Sequence, residues 1–213
     1  MLNEARITEL LEPFEISLNT QQMARLEIYL RLLMRWNQKI NLTSIRDEEE
    51  CVTRHFGESF YLSRYEKWTG ETKLLDIGSG AGFPGLALKL IFPEAEATLL
   101  EAVAKKRAFL KEVVRACGMG KVSVCPERIE QIAEMEGRYD AVTARAVGNV
   151  AGIITGARKI LKERGKLHLW LSGRQSKELS REGISFEWVR CVHVPLSRDR
   201  EIVTGVLISP SCA

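Results

Sequence analysis

The stretch "LLDIGSGAGFPG", residues 74–85, sets four glycines directly behind a short apolar run. Glycine is costly in regular structure because the unfolded chain loses the most conformational freedom there. Such a dense set of glycines therefore indicates a loop whose backbone is approached closely. Gly80-x-Gly82-x-x-Gly85 also matches the fingerprint of dinucleotide-binding loops, although that match alone is a weak signal.

The composition is that of an ordinary globular protein, with 213 residues, 45% hydrophobic and 28% charged side chains, and a net charge of +3. No apolar run approaches the roughly 20 residues of a membrane span. The five cysteines are odd in number and lack C-x-x-C spacing, and the three histidines are scattered. We therefore expect a cytoplasmic protein with reduced cysteines, no metal site and no membrane association. The mild basic bias is compatible with an anionic partner.

The sequence pattern changes at Lys73. Residues 1–72 are predicted to form a helical extension, in which Asn19 and Gln22 have the spacing of a capping box. Residues 73–213 are predicted to form an α/β core, because strand-like and helix-like segments alternate there. The near-continuous apolar strands indicate a mostly parallel sheet with helices on both faces. Seven strands are predicted, the last two as an antiparallel hairpin: residues 73–77, 97–101, 121–125, 138–144, 166–172, 186–196 and 201–208.

The register of the glycines argues against a dinucleotide site. A pyrophosphate would sit at the N-terminus of the next helix, with the first glycine close behind the strand. Here Asp76 is followed by glycines at 78, 80 and 82, the D-x-G-x-G-x-G arrangement of S-adenosylmethionine-dependent methyltransferases. Glu101 ends the second strand, where a carboxylate can accept hydrogen bonds from both ribose hydroxyls. NAD enzymes carry an acid at a similar place, so Glu101 alone does not discriminate.

The whole loop, "GSGAGFPG", resembles that of the bacterial 16S rRNA 7-methylguanosine methyltransferases, also called glucose-inhibited division protein B. Other segments match that family in order. They are residues 36–43, 54–56, 100–106, 128–130 and 143–146. The resemblance implies a class I S-adenosylmethionine-dependent methyltransferase fold, which is Rossmann-like. It also implies methylation of guanine N7 at position 527 of 16S rRNA. Naked rRNA and a small-subunit particle both stay open as the substrate, and we expect the protein to be a monomer.

The chemistry of guanine N7 is consistent with this sequence. N7 has an available lone pair and no proton, so methyl transfer needs positioning and no general base. No catalytic residue is therefore predicted. Enzymes that methylate exocyclic amines typically carry an Asn/Asp-Pro-Pro-aromatic motif after the fourth strand. This chain has Thr143-Ala144-Arg145-Ala146 there, which disfavours that chemistry.

The predicted cofactor-binding residues lie at the carboxyl ends of the strands, where ligands of open α/β sheets bind. Ile129 could pack on the adenine, and Glu130 or a backbone group could meet its amine. Arg145 could hold the methionine carboxylate, an rRNA phosphate or a base acceptor. The full predicted set is Gly78, Gly80, Phe83, Glu101, Ile129, Glu130 and Arg145.

The predicted rRNA contacts are basic groups around that site. Lys105 and Lys106 stand in the first turn of a helix, where cations oppose the helix dipole, and a local rule broken near a site points to function. His55 has both a structural and a substrate-binding interpretation. Family members often show a lysine at the position of Ser172, a charge that Arg174 could supply instead. The full predicted set is Lys105, Lys106, Arg128, Arg54, His55 and Arg174.

Three alternatives remain at this stage. Another class I methyltransferase, acting on RNA or a small molecule, would share the loop and Glu101. A NAD-binding oxidoreductase would require the weaker fingerprint to be the meaningful one. A non-catalytic RNA-binding protein would require a vestigial loop, against which the intact glycines and Glu101 argue.

Overall fold

A computed structural model describes residues 2–127, 129, 137–145, 148–179 and 185–208. Several helical segments precede the first strand. They are α1 (Glu4–Leu11), a 3-10 turn (Glu12–Phe14), α2 (Thr20–Asn37), α3 (Glu48–Cys51), a π-helical turn (Val52–Gly57), α4 (Glu58–Phe60) and a second 3-10 turn (Tyr61–Arg64). In this described part of the chain, no helix is long and apolar enough to cross a membrane.

The capping box predicted for α2 is confirmed. The Asn19 side chain accepts from the Gln22 backbone N–H at 2.9 Å, and the Gln22 side chain accepts from the Asn19 N–H at 2.9 Å. These two bonds satisfy amide groups that a helix start leaves without intrahelical partners. The helix is thereby fixed at its first turn, and its apolar stripe is buried, including Met23, Leu26 and Tyr29.

Seven strands form one sheet in the order β3-β2-β1-β4-β5-β7-β6. Only β7 runs antiparallel to the others, so the predicted mostly parallel sheet with a closing hairpin is confirmed. The strand order reverses between β1 and β4, which places a ligand crevice at their carboxyl ends. The strands are β1 (Lys73–Ile77), β2 (Glu96–Leu100), β3 (Val122–Cys125), β4 (Tyr139–Arg145), β5 (Leu161–Ser172), β6 (Phe186–His193) and β7 (Arg200–Leu207).

Helices follow the strands as crossover connections. They are α5 (Gly85–Ile91), α6 (Ala104–Ala116), α7 (Val150–Ile160) and α8 (Gly173–Leu179). One hydrophobic cluster joins the helices before β1 to α5 and α6, and contains Leu26 and Tyr29 of α2 together with Leu86 and Phe109. A second cluster covers the other face of the sheet under α7. The division of the chain at residue 72 stays a prediction.

His168 lies within β5 and is fully buried, with its Nδ1 atom 3.0 Å from the Thr204 hydroxyl. Burial, followed by the nearby charges of Lys166 and Arg190, lowers the pKa of His168 from 6.5 to about 3. The unfolded chain therefore binds a proton below pH 6.5 that the folded protein does not bind. This difference removes stability as the pH falls from 6.5 towards 3.

We predict that His168→Gln makes unfolding less sensitive to acid. Between pH 6 and 4.5 the slope of the free energy of unfolding against pH should fall by about 1.4 kcal/mol per pH unit, because one differential proton is lost. Urea unfolding at several pH values measures this slope. His193→Gln, at an exposed position of β6, is the control for removing an imidazole. Equal slopes for wild type and His168→Gln would contradict the prediction.

Candidate active site

A cavity of about 320 Å³ opens at the carboxyl ends of β1 and β2, next to the glycine loop. We call it the glycine-loop cavity. It lies at the reversal of strand order, where open α/β sheets bind their ligands. Its lining residues are Ile77, Gly78, Leu100, Glu101, Ala102, Glu127, Ile129, Gly148, Asn149 and Ile153.

Glu101 ties the glycine loop to the end of β2. Its Oε2 accepts from the Gly80 N–H at 2.9 Å and its Oε1 accepts from the Val103 N–H at 2.8 Å. The Ser79 N–H donates to the Leu100 carbonyl at 2.9 Å. Each carboxylate oxygen of Glu101 can accept a further bond, because a carboxylate has about four lone-pair positions. The side chain is 6% exposed and reaches the cavity.

Two glycines of the loop are required by close packing. At Gly85 a Cβ would lie 2.4 Å from the Cβ of Asp76, so only glycine lets α5 approach β1 this closely. Asp76 is itself fully buried and accepts from the Thr143 hydroxyl at 2.7 Å. At Gly82, with φ +91°, a Cβ would lie 2.0 Å from the Tyr29 hydroxyl.

The glycine-loop cavity fits an adenosine group. Glu101 offers acceptors at one end, and the buried Ile129 offers an apolar surface. Glu127 carries a buried Oε2 without a hydrogen-bond partner among the described residues, so it can accept a bond from a ligand amine. Such an orphaned acceptor beside an apolar wall suits an amino-purine ring. A Cβ at Gly78 would meet no atom within 4 Å, so the bare backbone there faces open space.

Two aromatic rings from the helices before β1 stack on Phe83 of the glycine loop. The Tyr29 hydroxyl donates to the Ala81 carbonyl at 2.5 Å, and its ring stacks on Phe83 with centroids 5.4 Å apart. The His55 ring stacks on Phe83 at 4.7 Å. The helices before β1 therefore fix the conformation of the loop by direct contact.

A second cavity of about 570 Å³ also has Gly78 in its lining, and we call it the arginine cavity. Gly78 lines both cavities, so they meet at the loop backbone. Phe83 and Arg145 line the arginine cavity. Its cationic lining side chains are Arg54, Lys106, Arg145 and Arg200.

Arg145 and His55 form a partly buried pair in the wall of the arginine cavity. The Arg145 Nη2 donates to His55 Nδ1 at 2.9 Å, and the His55 Nε2 lies 2.8 Å from the Thr43 hydroxyl. Burial, followed by the charges of Arg145, Arg54 and Arg200, lowers the pKa of His55 to about 3. Since arginine can only donate, the neutral ring carries its proton on Nε2 and donates it to Thr43.

Arg145 remains a cation in this wall. Burial lowers the pKa of Arg145 to about 10, against the opposing effect of Glu58. That value is well above neutral pH, so the guanidinium keeps its charge. Its Nη1 also donates to the Arg54 carbonyl at 3.1 Å.

The structure places most of the site residues predicted from the sequence beside one of the two cavities. Gly78, Glu101 and Ile129 line the glycine-loop cavity, and Gly80 contacts Glu101. Phe83, Arg145, Arg54, His55 and Lys106 line the arginine cavity.

Some predicted residues lie elsewhere. Lys105 is exposed, and neither cavity includes it within the described ranges. Arg174 is 86% exposed and pairs with Glu178 at 2.9 Å. Arg128 and Glu130 lie outside the described residues. No described group of three or more His, Cys, Asp or Glu side chains could hold a metal ion.

Sequence reasoning missed several residues of the site, namely Tyr29, Thr43, Glu58, Glu127 and Arg200. Of these, only Glu127 could have been found from the local sequence, since it lies two residues after the third strand, near the predicted adenine position. Tyr29 stands at helical spacing among apolar residues of α2, a pattern that indicates a core residue and no site role. Arg200 reaches the site from β7, and no short pattern links it to the glycine loop.

The sheet order, with the glycine-loop cavity at its reversal, is that of the class I methyltransferase fold. A solved S-adenosylmethionine-dependent methyltransferase from Aquifex aeolicus has a similar fold. Its TM-score is 0.63 at 14% identity, and the match covers 79% of this chain and 97% of that one. A fibrillarin, solved in complex with Nop5p, matches with a TM-score of 0.60 at 18% identity, over 70% of this chain and 79% of its own. These likenesses concern the fold.

Closer relatives share the sequence as well. Residues 22–200 match the family described as rRNA small subunit methyltransferase G. A protein of that name from Halorhodospira halophila is 41% identical over 168 residues, covering 79% of this chain and 78% of the relative. Another from Chloroflexus aggregans is 36% identical, covering 98% and 91%. The chain belongs to the rRNA small subunit methyltransferase G family, so the family and fold predicted from the sequence are confirmed.

We predict that Gly78→Ala and Gly118→Ala separate backbone strain from ligand binding. Both glycines have a left-handed backbone, with φ +68° and +58°, and at both a Cβ would meet no atom within 4 Å. Each variant should lose about 1–2 kcal/mol of stability through that strain. Only Gly78 lines the two cavities.

Calorimetry with S-adenosylhomocysteine checks this prediction. Gly78→Ala should weaken binding by about tenfold or more, which corresponds to about 1.4 kcal/mol, whereas Gly118→Ala should leave it nearly unchanged. Unaltered binding by Gly78→Ala, or an equal loss in both variants, would show that the loop backbone does not contact the ligand.

Proposed function

We propose that this protein transfers a methyl group from S-adenosylmethionine to N7 of a guanine in 16S rRNA, at position 527 in the usual rRNA numbering. The observation that carries the proposal is the meeting of two unlike cavities at Gly78. One offers Glu101 and an apolar wall, which suit the adenosine of the cofactor. The other is lined by four cations, which suit a polyanionic substrate.

The residues present act by binding and orientation. When bound, S-adenosylmethionine supplies an electrophilic methyl group on a sulfonium. Glu101 and Ile129 hold the adenosine end, and cofactor and substrate meet at Gly78, which lines both cavities. The guanine enters from the arginine cavity with its N7 lone pair directed towards Gly78. No proton leaves N7, so His55 does not need to act as a base, and the acceleration comes from alignment.

Arg145 serves the substrate side in this proposal. It lines the arginine cavity and is paired with His55 and the Arg54 carbonyl. Of the three roles left open from the sequence, these contacts favour an rRNA phosphate or a base acceptor over the methionine carboxylate. Methylated N7 leaves the guanine positively charged, so the ring is placed beside Arg145 without stacking on it.

The reaction is tested by transfer of a tritiated methyl group to small-subunit rRNA from cells lacking this enzyme, followed by nucleotide mapping. We expect label on N7 of a single guanine. Label on an exocyclic amine, or on tRNA in place of rRNA, would refute the assignment. Calorimetry should show binding of S-adenosylhomocysteine and none of NADH, and the reverse result would favour an oxidoreductase. Comparing naked rRNA with assembled small subunits identifies the preferred substrate.

We predict that Lys106→Gln weakens use of the RNA without affecting the cofactor. Lys106 lines the arginine cavity from the first turn of α6. Its loss should raise the KM for rRNA several-fold. The slope of log binding constant against log salt concentration should also become shallower by about 0.7–0.9, the change for one phosphate contact. Lys111→Gln is the matched control, because Lys111 is exposed on the same helix and lines neither described cavity. Equal effects in both variants would indicate only general charge attraction.

A cytoplasmic location is part of the proposal. The cysteines at 51, 117, 125 and 191 are free thiols, as in a reducing compartment. The monomeric state predicted from the sequence stays a prediction, which light scattering tests directly.

A further inference from the structure

Glu58 is a buried carboxylate shared by three arginines. It is 1% exposed and begins the short helix α4. Its Oε1 is 3.0 Å from Arg54 Nε, and its Oε2 is 2.5 Å from Arg200 Nη1 and 3.7 Å from Arg145 Nη1. These arginines come from the π-helical turn, the start of β7 and the end of β4. A single acid therefore connects three separate elements around the arginine cavity.

The charges around Glu58 do not balance. Four cationic side chains line the arginine cavity, against the carboxylates of Glu50 at its edge and Glu58 behind it. His55 contributes no charge, because its pKa is lowered to about 3. Asp76 also acts on Arg145 from the buried end of β1. Even with this third acid counted, the cations remain in excess in a partly buried wall. Burying unpaired charge is costly, so an anion from outside the chain is expected to complete this cluster.

Arg54 and Arg200 stand between two cavities. Both line the arginine cavity, and both line an outer cavity of about 580 Å³ that also includes Ser172, Gln175 and Arg198. Their side chains remain 41% and 33% exposed, whereas Glu58 is out of reach of a ligand. A nucleic-acid strand that occupies both cavities would therefore pass these two guanidinium groups.

We propose that Arg54 and Arg200 together bind one backbone phosphate of the RNA, adjacent to the nucleotide that is methylated. Glu58 is the positioning residue that holds both guanidinium groups in place for that phosphate. The arginine cavity receives the reacting nucleotide and the outer cavity receives its neighbour. The inference rests on the proposed function, because it takes the substrate to be RNA.

Glu58→Gln tests the positioning role, and Glu66→Gln is its matched control. Glu66 is another buried carboxylate that pairs with two cations, Lys166 at 2.7 Å and Arg190 at 3.3 Å, and it lines none of the three cavities. Both variants lose a buried acid and should lose stability. Only Glu58→Gln should raise the KM for small-subunit rRNA by about tenfold or more, while its affinity for S-adenosylhomocysteine stays within about twofold of wild type.

Arg200→Gln tests the phosphate contact directly. The affinity for small-subunit rRNA is measured at several salt concentrations with S-adenosylhomocysteine present. The slope of log binding constant against log salt concentration should become shallower by about 0.7–0.9, the change for one lost phosphate contact. Because this readout needs only folded protein, it also serves if Glu58→Gln does not fold. An unchanged slope, or equal losses of rRNA and cofactor affinity in Glu58→Gln, would overturn the proposal.

The binding measurement separates this inference from the proposed reaction. Wild-type protein that binds rRNA but transfers no methyl group would refute the proposed function, and the slope for Arg200→Gln would still decide on the phosphate site. Wild-type protein that does not bind rRNA under any salt condition would overturn both.

Discussion

The structure depends on one contact, in which the Tyr29 hydroxyl fills the space left by the missing side chain of Gly82. This hydroxyl donates to the Ala81 carbonyl at 2.5 Å, and the Tyr29 ring lies against Phe83. A helix that precedes the sheet in the chain thereby holds the loop at the end of β1. The loop in turn bonds to Glu101 at the end of β2. The helices before Lys73 consequently contribute to the candidate site, because they contact the loop that lines both cavities.

The sheet and the loop could be predicted because their signals are local. Apolar runs of strand length alternated with helical spacing, and Asp76, the glycines and Glu101 lie near strand ends where their roles follow from register. The boundaries of β1 matched the prediction at both ends, whereas β2 ends at Leu100 and Glu101 follows it. The prediction for β5 missed its start at Leu161. The pairing of β5 with β4 is irregular there, and the segment is too polar to suggest a buried strand.

The cationic wall could not be predicted in the same way, because it forms only through tertiary contacts. Arg200 pairs with Glu58 across 142 residues of sequence, and no local pattern associates the two. The π-helical turn at Val52–Gly57 is likewise invisible to a periodicity of 3.6 residues, although such turns often occur at functional sites. The assignment of Arg174 stays a prediction. Its side chain is 86% exposed and pairs with Glu178, and among the described residues it lines none of the three cavities.

The same positive charge that suits an RNA backbone limits how the proposed reaction can be catalysed. Methyl transfer to N7 moves positive charge onto the guanine, and Arg145, which lines the arginine cavity, is also a cation. Electrostatics in this cavity therefore oppose the charged base, and the neutral state of His55 avoids adding to that opposition. The attraction must act on the phosphates, at a distance from the reacting atom. Binding energy from the RNA backbone is thus used to hold the base in a position that the charge of the cavity alone disfavours. The same unfavourable charge also eases release of the methylated product.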